Sequence, residues 1–357
     1  VVTLGTLLSV ANHSLLPLLF SRHETVADSA AETPLLPARN PAALTLLDHS
    51  APNACGHIYR SVCKPKQKVL FDKDFTGTVA SDVYGEQQAL QLYSNIINEH
   101  PDWERDQVEK ELVLQLYTPK RVTRIETAFH YVQHQMARWI DKQPLTVFNA
   151  HEKKTLKLRL KHTTLQLPPQ TPYKDSPDVY TKSDVFYERT SEGATRMRVG
   201  GAYLLSVKSW FNMVFTVAHE LGHAIDPCEI RINRIFIPAY DKLSACFAEQ
   251  GIIQTKSNRT ECGQHDQLSE VFADWVAVQI VAEGLKSYSN EFRGPQIVNA
   301  ALNSVRDLCE DDETDFDNDF HPSPQVRIGR IFGESPEIRN ILGCTRGPAS
   351  STSYCQF

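Results

Sequence analysis

The sequence predicts an α+β fold, mostly helical with a small mixed sheet. Three observations carry this. Residues 82–141 hold three apolar stripes at helical spacing. Residues 184–205 hold two strand-like runs around a turn. Residues 211–226 and 268–281 are apolar helical stretches in which a few ionisable side chains stand out. At 357 residues the chain can bury a large core and hold one to three domains. Hydrophobic residues make up 41% and charged ones 22%, as in a globular protein. The net charge of -6 and the lack of a long basic run argue against nucleic acid as a main partner.

Taken in order, residues 1–20 carry no Asp, Glu, Lys or Arg and are rich in Leu and Val. They read either as the apolar part of a signal peptide or membrane anchor, or as an ordered amphipathic segment of a processed chain. A membrane is a partner only on the first reading. Residues 21–50 mix Ser, Ala, Pro and Leu without period, so residues 1–50 form a strap, anchor remnant or linker. Cys55 and Cys63, eight apart with apolar residues between, suit a helix pinned at both ends.

The stripes follow. They are Leu90, Leu92, Tyr93, Ile96 and Ile97; then Val108, Leu112, Leu114, Leu116 and Tyr117; then Ile125, Phe129, Val132, Met136 and Trp139. His130 and His134 share the spacing of a metal pair, but no carboxylate lies between them, and they read as helix-face histidines. Residues 150–163 read as a basic, solvated helix. Prolines 168, 169, 172 and 177 mark a boundary between a helical part, residues 51–183, and a second part, residues 184–357. Asp184 to Glu188 and Met197 to Leu205 read as two strands around Ser191-Glu192-Gly193, and Gly200-Gly201 as a point of close backbone approach. Residues 229–262 read as irregular. Asp315, Asp317 and Asp319 lack the glycine and glutamate of a calcium loop and read as a solvated acidic loop. Asn12 and Asn258 fit the glycosylation pattern.

Chemistry concentrates in His219-Glu220-Leu221-Gly222-His223. On a helix His219 and His223 share one face and can grip one metal ion, with Glu220 beside it. A core helix with two satisfied histidines is the alternative. Asp226-Pro227 ends the helix, because the residue before proline is pushed out of helical geometry. Glu270 and Asp274 stand four apart on the apolar stretch 268–281. Carboxylates are rarely buried unless paired or metal-bound, so these two supply a third ligand and an acceptor for a ligand histidine. Eight cysteines without a Cys-x-x-Cys are either reduced thiols or up to four disulfides of an oxidising compartment.

Four blocks in order resemble the neprilysin and endothelin-converting-enzyme family of zinc metallopeptidases, in the gluzincin group. Cys55 to Cys63 resembles its Cys-x-Asp-Phe-Tyr-x-Tyr-Ala-Cys block, with Tyr59 kept and His57 in place of Asp. His219 to Asp226 resembles His-Glu-x-x-His-Gly-Phe-Asp, and Glu270 to Asp274 resembles Glu-Asn-x-Ala-Asp. His321 and Arg327 resemble its His-Ser-Pro block with the downstream arginine, followed by Gly329 and Cys344; the end at Cys355 resembles Cys-x-x-Trp. The chain departs from the family in having only residues 64–183 for the lid, in Asp184 where the substrate strand has Asn, and in Gly222 where Thr is frequent.

The resemblance implies a thermolysin-like gluzincin core over residues 184–357 with a reduced helical lid over 51–183. It implies one catalytic Zn2+ on His219, His223 and Glu270. Glu220 acts as general base, Asp274 orients His219, His321 stabilises an oxyanion, and Arg327 holds a substrate carbonyl. Asp184 and Val185 correspond to the substrate-binding strand. The implied bridges are Cys55–Cys344, Cys63–Cys309 and Cys246–Cys355, with the pairing of the remaining Cys228 and Cys262 left open, in an extracytoplasmic protein acting on peptide or protein substrates. Two other classes fit the same residues. One is a binding protein that kept the fold and lost turnover; the other is a zinc amidase acting on cell-wall peptides.

Overall fold

The computed structural model describes residues 55–63, 82–168, 177–206, 209–253, 262, 267–288, 294–312, 321–344 and 354–357. The strap at residues 1–50, the sequons at Asn12 and Asn258 and the acidic run 315–319 lie outside them. The described residues all belong to one compact unit, Leu36–Phe357.

In chain order the elements are α1 (Ile58–Val62), α2 (Asp82–Glu99), α3 (Arg105–Leu116), α4 (Pro119–Lys142), α5 (Ala150–His162) and β1 (Thr164–Gln166). A 3₁₀ turn (Pro177–Thr181) leads to β2 (Val185–Arg189), β3 (Thr195–Val199) and α6 (Gly201–Ser206). Then come α7 (Trp210–His223), α8 (Pro227–Ile232), α9 (Pro238–Glu249), α10 (Leu268–Tyr288) and α11 (Gly294–Ser304). After a 3₁₀ stretch (Arg306–Asp312), α12 (Pro324–Val326) runs into a π-helical stretch (Arg327–Phe332), followed by α13 (Pro336–Ile341). The architecture is mostly helical with one three-stranded mixed sheet, as the sequence predicts. Among the described residues no helix is long and apolar enough to cross a membrane.

Local sequence explains the helix ends around the centre of the molecule. Ser209 caps α7 by accepting the Asn212 amide, a side-chain acceptor for an otherwise unpaired N–H. Asp226 caps α8 by accepting from the Cys228 and Glu229 amides, with Pro227 at the first helical position. α7 and α10 are largely buried helices, and they cross at Gly222. A Cβ there would stand 3.0 Å from Ala273 Cα and 3.3 Å from Ala273 Cβ. The missing side chain lets the backbones meet and turns the ionisable residues of each helix toward the other.

The sheet order is β1-β3-β2, with β1 parallel and β2 antiparallel to β3. β2 is therefore an edge strand, and its outer edge meets α7. β1 pairs with β3 and α4 packs on α7, so residues 51–183 and 184–357 contribute to one continuous core. An aromatic cluster of Trp139, Phe148, Tyr240, Phe272, Trp275 and Phe357 lies under α10. The Trp275 indole N–H donates to Cys355 O at 3.0 Å, which fixes the end of the chain.

Four disulfides, Cys55–Cys344, Cys63–Cys309, Cys228–Cys262 and Cys246–Cys355, use all eight cysteines. Three match the implied pairings, Cys228–Cys262 closes the one left open, and α1 is pinned at both ends. Such bridges fit an oxidising compartment.

Several expectations need correction. The second strand stops at Val199, and Gly201–Ser206 is helical. The glycine pair does mark close approach, since Cβ atoms at Gly200 and Gly201 would lie 2.1 and 2.3 Å from the Lys182 and Tyr180 carbonyls. Among the described residues of 229–262, α8 and α9 occupy much of the stretch that reads as irregular. Leu90, Ile97 and Leu114 are 51%, 41% and 58% exposed instead of lining their stripes. The buried face of α2 runs through Ala89 and Ile96, and that of α3 through Val108, Leu112 and Leu116, so these three residues fall a helical step aside.

The crossing gives a direct test. Gly222→Val forces a branched side chain onto Ala273, and overpacking of this kind costs about 1–3 kcal/mol. Denaturant unfolding of the disulfide-intact variant is expected to show that loss; unchanged stability would mean that the two helices do not meet there.

Candidate metal centre

The crossing of α7 and α10 brings together His219 and His223 from one helix and Glu270 from the other. Their ligand atoms all lie within 4.8 Å of one another, and they form the one such group among the described residues. His219 Nε2 is 3.3 Å from His223 Nε2 and 3.1 Å from Glu270 Oε2, and His223 Nε2 is 3.7 Å from Glu270 Oε1. The cluster is largely buried, with His219 6% exposed. His130 and His134 lie exposed on α4, as helix-face residues do.

The far side of each imidazole is committed. His219 Nδ1 donates to Asp274 Oδ1 at 2.9 Å. His223 Nδ1 lies 3.3 Å from Asp226 Oδ2 and 3.1 Å from Ser269 Oγ, and Ser269 itself donates to Asp226 at 2.6 Å. With each Nδ1 proton turned toward a carboxylate, the two Nε2 atoms face each other with their lone pairs. Glu270 Oε2 adds a buried oxygen that accepts no hydrogen bond, although His219 and His321 are near. Two imidazole lone pairs and an orphaned carboxylate oxygen converge on one point, and a cation there satisfies all three. The residues fit a metal ion.

Electrostatics agree. Burial alone would push the His219 pKa down, but the Asp274 carboxylate that accepts its Nδ1 proton and the nearby Glu270 carboxylate outweigh it and raise the value to about 10. Burial likewise opposes His223, yet the charge of Glu270 and the hydrogen bond to Asp226 raise its pKa. Glu270 is held well below the usual carboxylate range, because His223, His219 and His321 overcome the cost of its burial. Asp274 is also depressed against its burial, first by the charge of Arg327 and then by His219. Each of these shifts favours positive charge at the cluster.

Glu220 sits beside the cluster, 8% exposed. Its Oε2 accepts the Tyr187 backbone N–H of β2 at 2.7 Å. Burial pushes its pKa up, and the nearby imidazoles oppose that only in part. His321 Nε2 stands 2.9 Å from Glu270 Oε2, with its ring 6.3 Å from that of His219 and its side chain 39% exposed. Arg327 is buried, and Nε and Nη2 donate to the two Asp274 oxygens at 2.7 and 2.9 Å. It therefore orients Asp274; its hold on a substrate carbonyl is what the resemblance implies. Val185 opens β2 and Asp184 lies just before it; Val185 pairs with Val199, and the Asp184 carbonyl accepts from the Gly200 N–H.

Three residues have contacts at the site that the sequence reading does not assign to them. Asp226 is a cap and also the acceptor for His223. Tyr187 supplies the amide that holds Glu220. Glu229 takes Arg159 on one oxygen and Arg189 on the other, which ties α5 and β2 to α8. Asp226 carries a local signal, an aspartate before proline just past the second histidine. The other two depend on contacts between distant segments and leave none.

Comparison with protein-family models, with curated proteins and with solved structures found no match.

Two predictions follow from the geometry. Asp274→Asn keeps the shape but loses the charged acceptor for His219 and Arg327, and metal affinity should fall about 10–100-fold. Competition with a chromophoric chelator measures this, and unchanged affinity would remove Asp274 from the site. The second concerns pH. Because the His219 pKa is raised on folding, its contribution is complete below the unfolded value of about 6.5 and is lost as pH rises toward about 10. The melting temperature of the metal-free protein should fall from pH 7 to pH 10, and Asp274→Asn should flatten that fall.

Proposed function

We propose that the chain is a zinc-dependent endopeptidase, with the ion held by His219, His223 and Glu270. The observation that carries this reading is Glu220. A metal-holding site needs only the three ligands. A further buried carboxylate, fixed by a backbone amide of an edge strand, suits a group that moves a proton. The set of two imidazoles and one carboxylate favours zinc, and such a catalytic site keeps one position open. The resemblance to the neprilysin family and its gluzincin core supports the same reading.

Zinc, when bound, supplies a Lewis acid that polarises a carbonyl and makes water acidic near neutral pH. The remaining work falls to side chains. Glu220 Oε2 is anchored by Tyr187, and Oε1 is the atom that takes a proton from the attacking water and returns it to the leaving amine. Burial raises the Glu220 pKa, which makes it a stronger base than an exposed carboxylate. His321, at the more exposed rim, is placed to donate to developing charge on the substrate carbonyl oxygen, a contribution of about 3 kcal/mol by comparison with similar donors. Asp274 and Asp226 hold the ligand imidazoles in the tautomer that turns Nε2 inward, and Arg327 holds Asp274. The Tyr187 N–H on the outer edge of β2 is taken by Glu220, and the residues ahead of it, Asp184 and Val185, are the ones that contact an extended peptide. The four disulfides support an extracytoplasmic site of action.

The test is digestion of a mixed peptide library by the zinc-loaded protein and by Glu220→Gln, read by mass spectrometry. Cleavage should drop at least about 100-fold in the variant while one zinc per chain stays bound. Equal cleavage by both proteins, or none by either, would contradict the proposal.

A further inference from the structure

A second cleft lies between α1 and the π-helical stretch. It encloses about 660 Å³ and is lined by Arg60, Arg330 and Arg339, with His57 and a single carboxylate, Glu334. Among the described residues neither Arg60 nor Arg339 pairs with a carboxylate, while Arg330 donates to the Gln250 carbonyl. Uncompensated arginines around a concave space favour an anion, because the guanidinium fork matches the oxygens of carboxylate and phosphate.

The cleft is built, not incidental. α1 carries Arg60 and is fixed at both ends by Cys55–Cys344 and Cys63–Cys309; Cys344 lies just after α13, which carries Arg339. Both walls are therefore covalently tied. At Gly333 the walls touch, since a Cβ there would lie 3.0 Å from Ile58 Cδ1. At Gly329, four residues earlier, a Cβ would meet nothing within 4 Å. Gly329 thus leaves its side of the cleft open, with Arg330 next to it.

We propose that this cleft binds a small ligand carrying two or more negative charges, as carboxylates or phosphates, and that its occupancy is felt at the metal centre. The connection is one short chain of contacts. The stretch that lines the cleft with Gly329 and Arg330 begins at Arg327, Arg327 holds Asp274, and Asp274 holds His219. π-helical turns are rare and frequently mark functional positions. A ligand that draws on Arg330 moves the turn carrying Arg327, and the link is reciprocal as any coupling between sites must be. The coupling rests on the proposed metal centre; the binding does not.

The experiment uses the whole chain in its metal-free form, so that the anions have no zinc to chelate. Pyrophosphate and succinate are titrated calorimetrically into the native protein, Arg60→Gln/Arg339→Gln and Gly329→Leu. The native protein should bind at least one anion saturably with a stoichiometry of one, and each variant at least tenfold more weakly. Preference for pyrophosphate assigns a phosphate ligand, and preference for succinate a dicarboxylate. Gly329→Leu blocks the space while keeping every charge, so it still tests the cleft if the arginine variant fails to fold. No saturable binding, or equal affinity in native protein and folded variants, would overturn the site. Ring-nitrogen NMR of His219 reads the coupling separately. A shift on anion addition in the native protein alone supports it, and an unmoved resonance during saturable binding overturns the coupling while leaving the site.

Discussion

Two imidazole nitrogens face each other across 3.3 Å, and their rings are held there by carboxylates behind them. That arrangement is unfavourable without positive charge between them, and much of the centre of the molecule follows from it. Asp274 is held ionised behind His219, and a buried ionised carboxylate needs the charge of Arg327. Arg327 in turn is carried by a π-helical turn at the far side of α10. Removing one member leaves another as an unpaired buried charge, so the site stands or falls as a network.

The fold supplies the rigidity such a network needs. α7 and α10 approach through the absent side chain of Gly222, and the buried aromatic cluster and the Cys246–Cys355 bridge hold α10 from below. On the other side β2 brings the Tyr187 amide to Glu220, and Glu229 clamps that strand through Arg189. Glu220 therefore sits between a rigid helix pair and a tethered strand edge. Such anchoring suits a group whose position matters to a fraction of an ångström.

Much of this was legible in the sequence for a simple reason. Helical periodicity places residues four apart on one face, so His219 with His223 and Glu270 with Asp274 declare their geometry locally. Isolated carboxylates in an apolar helix declare that something must compensate them. Contacts across the fold were harder. Arg327 follows His321 in the chain, and only the packing of the π-helical turn on α10 shows that its guanidinium meets Asp274. The stripes failed at Leu90, Ile97 and Leu114 because an apolar residue one step off the buried face still fits a loose helical pattern. The helices between Cys228 and Cys246 were missed because their caps, Asp226-Pro227 and Ile237-Pro238, read equally well as breaks.

The central claim is that one metal ion completes the convergence of His219, His223 and Glu270. Zinc K-edge X-ray absorption of the loaded protein tests it most directly, alongside Glu270→Gln. The account predicts one ion per chain with two imidazoles and a carboxylate in its first coordination shell, and loss of the carboxylate signal with weaker retention in the variant. A zinc ion held by other ligands, or no zinc retained after dialysis, would contradict it.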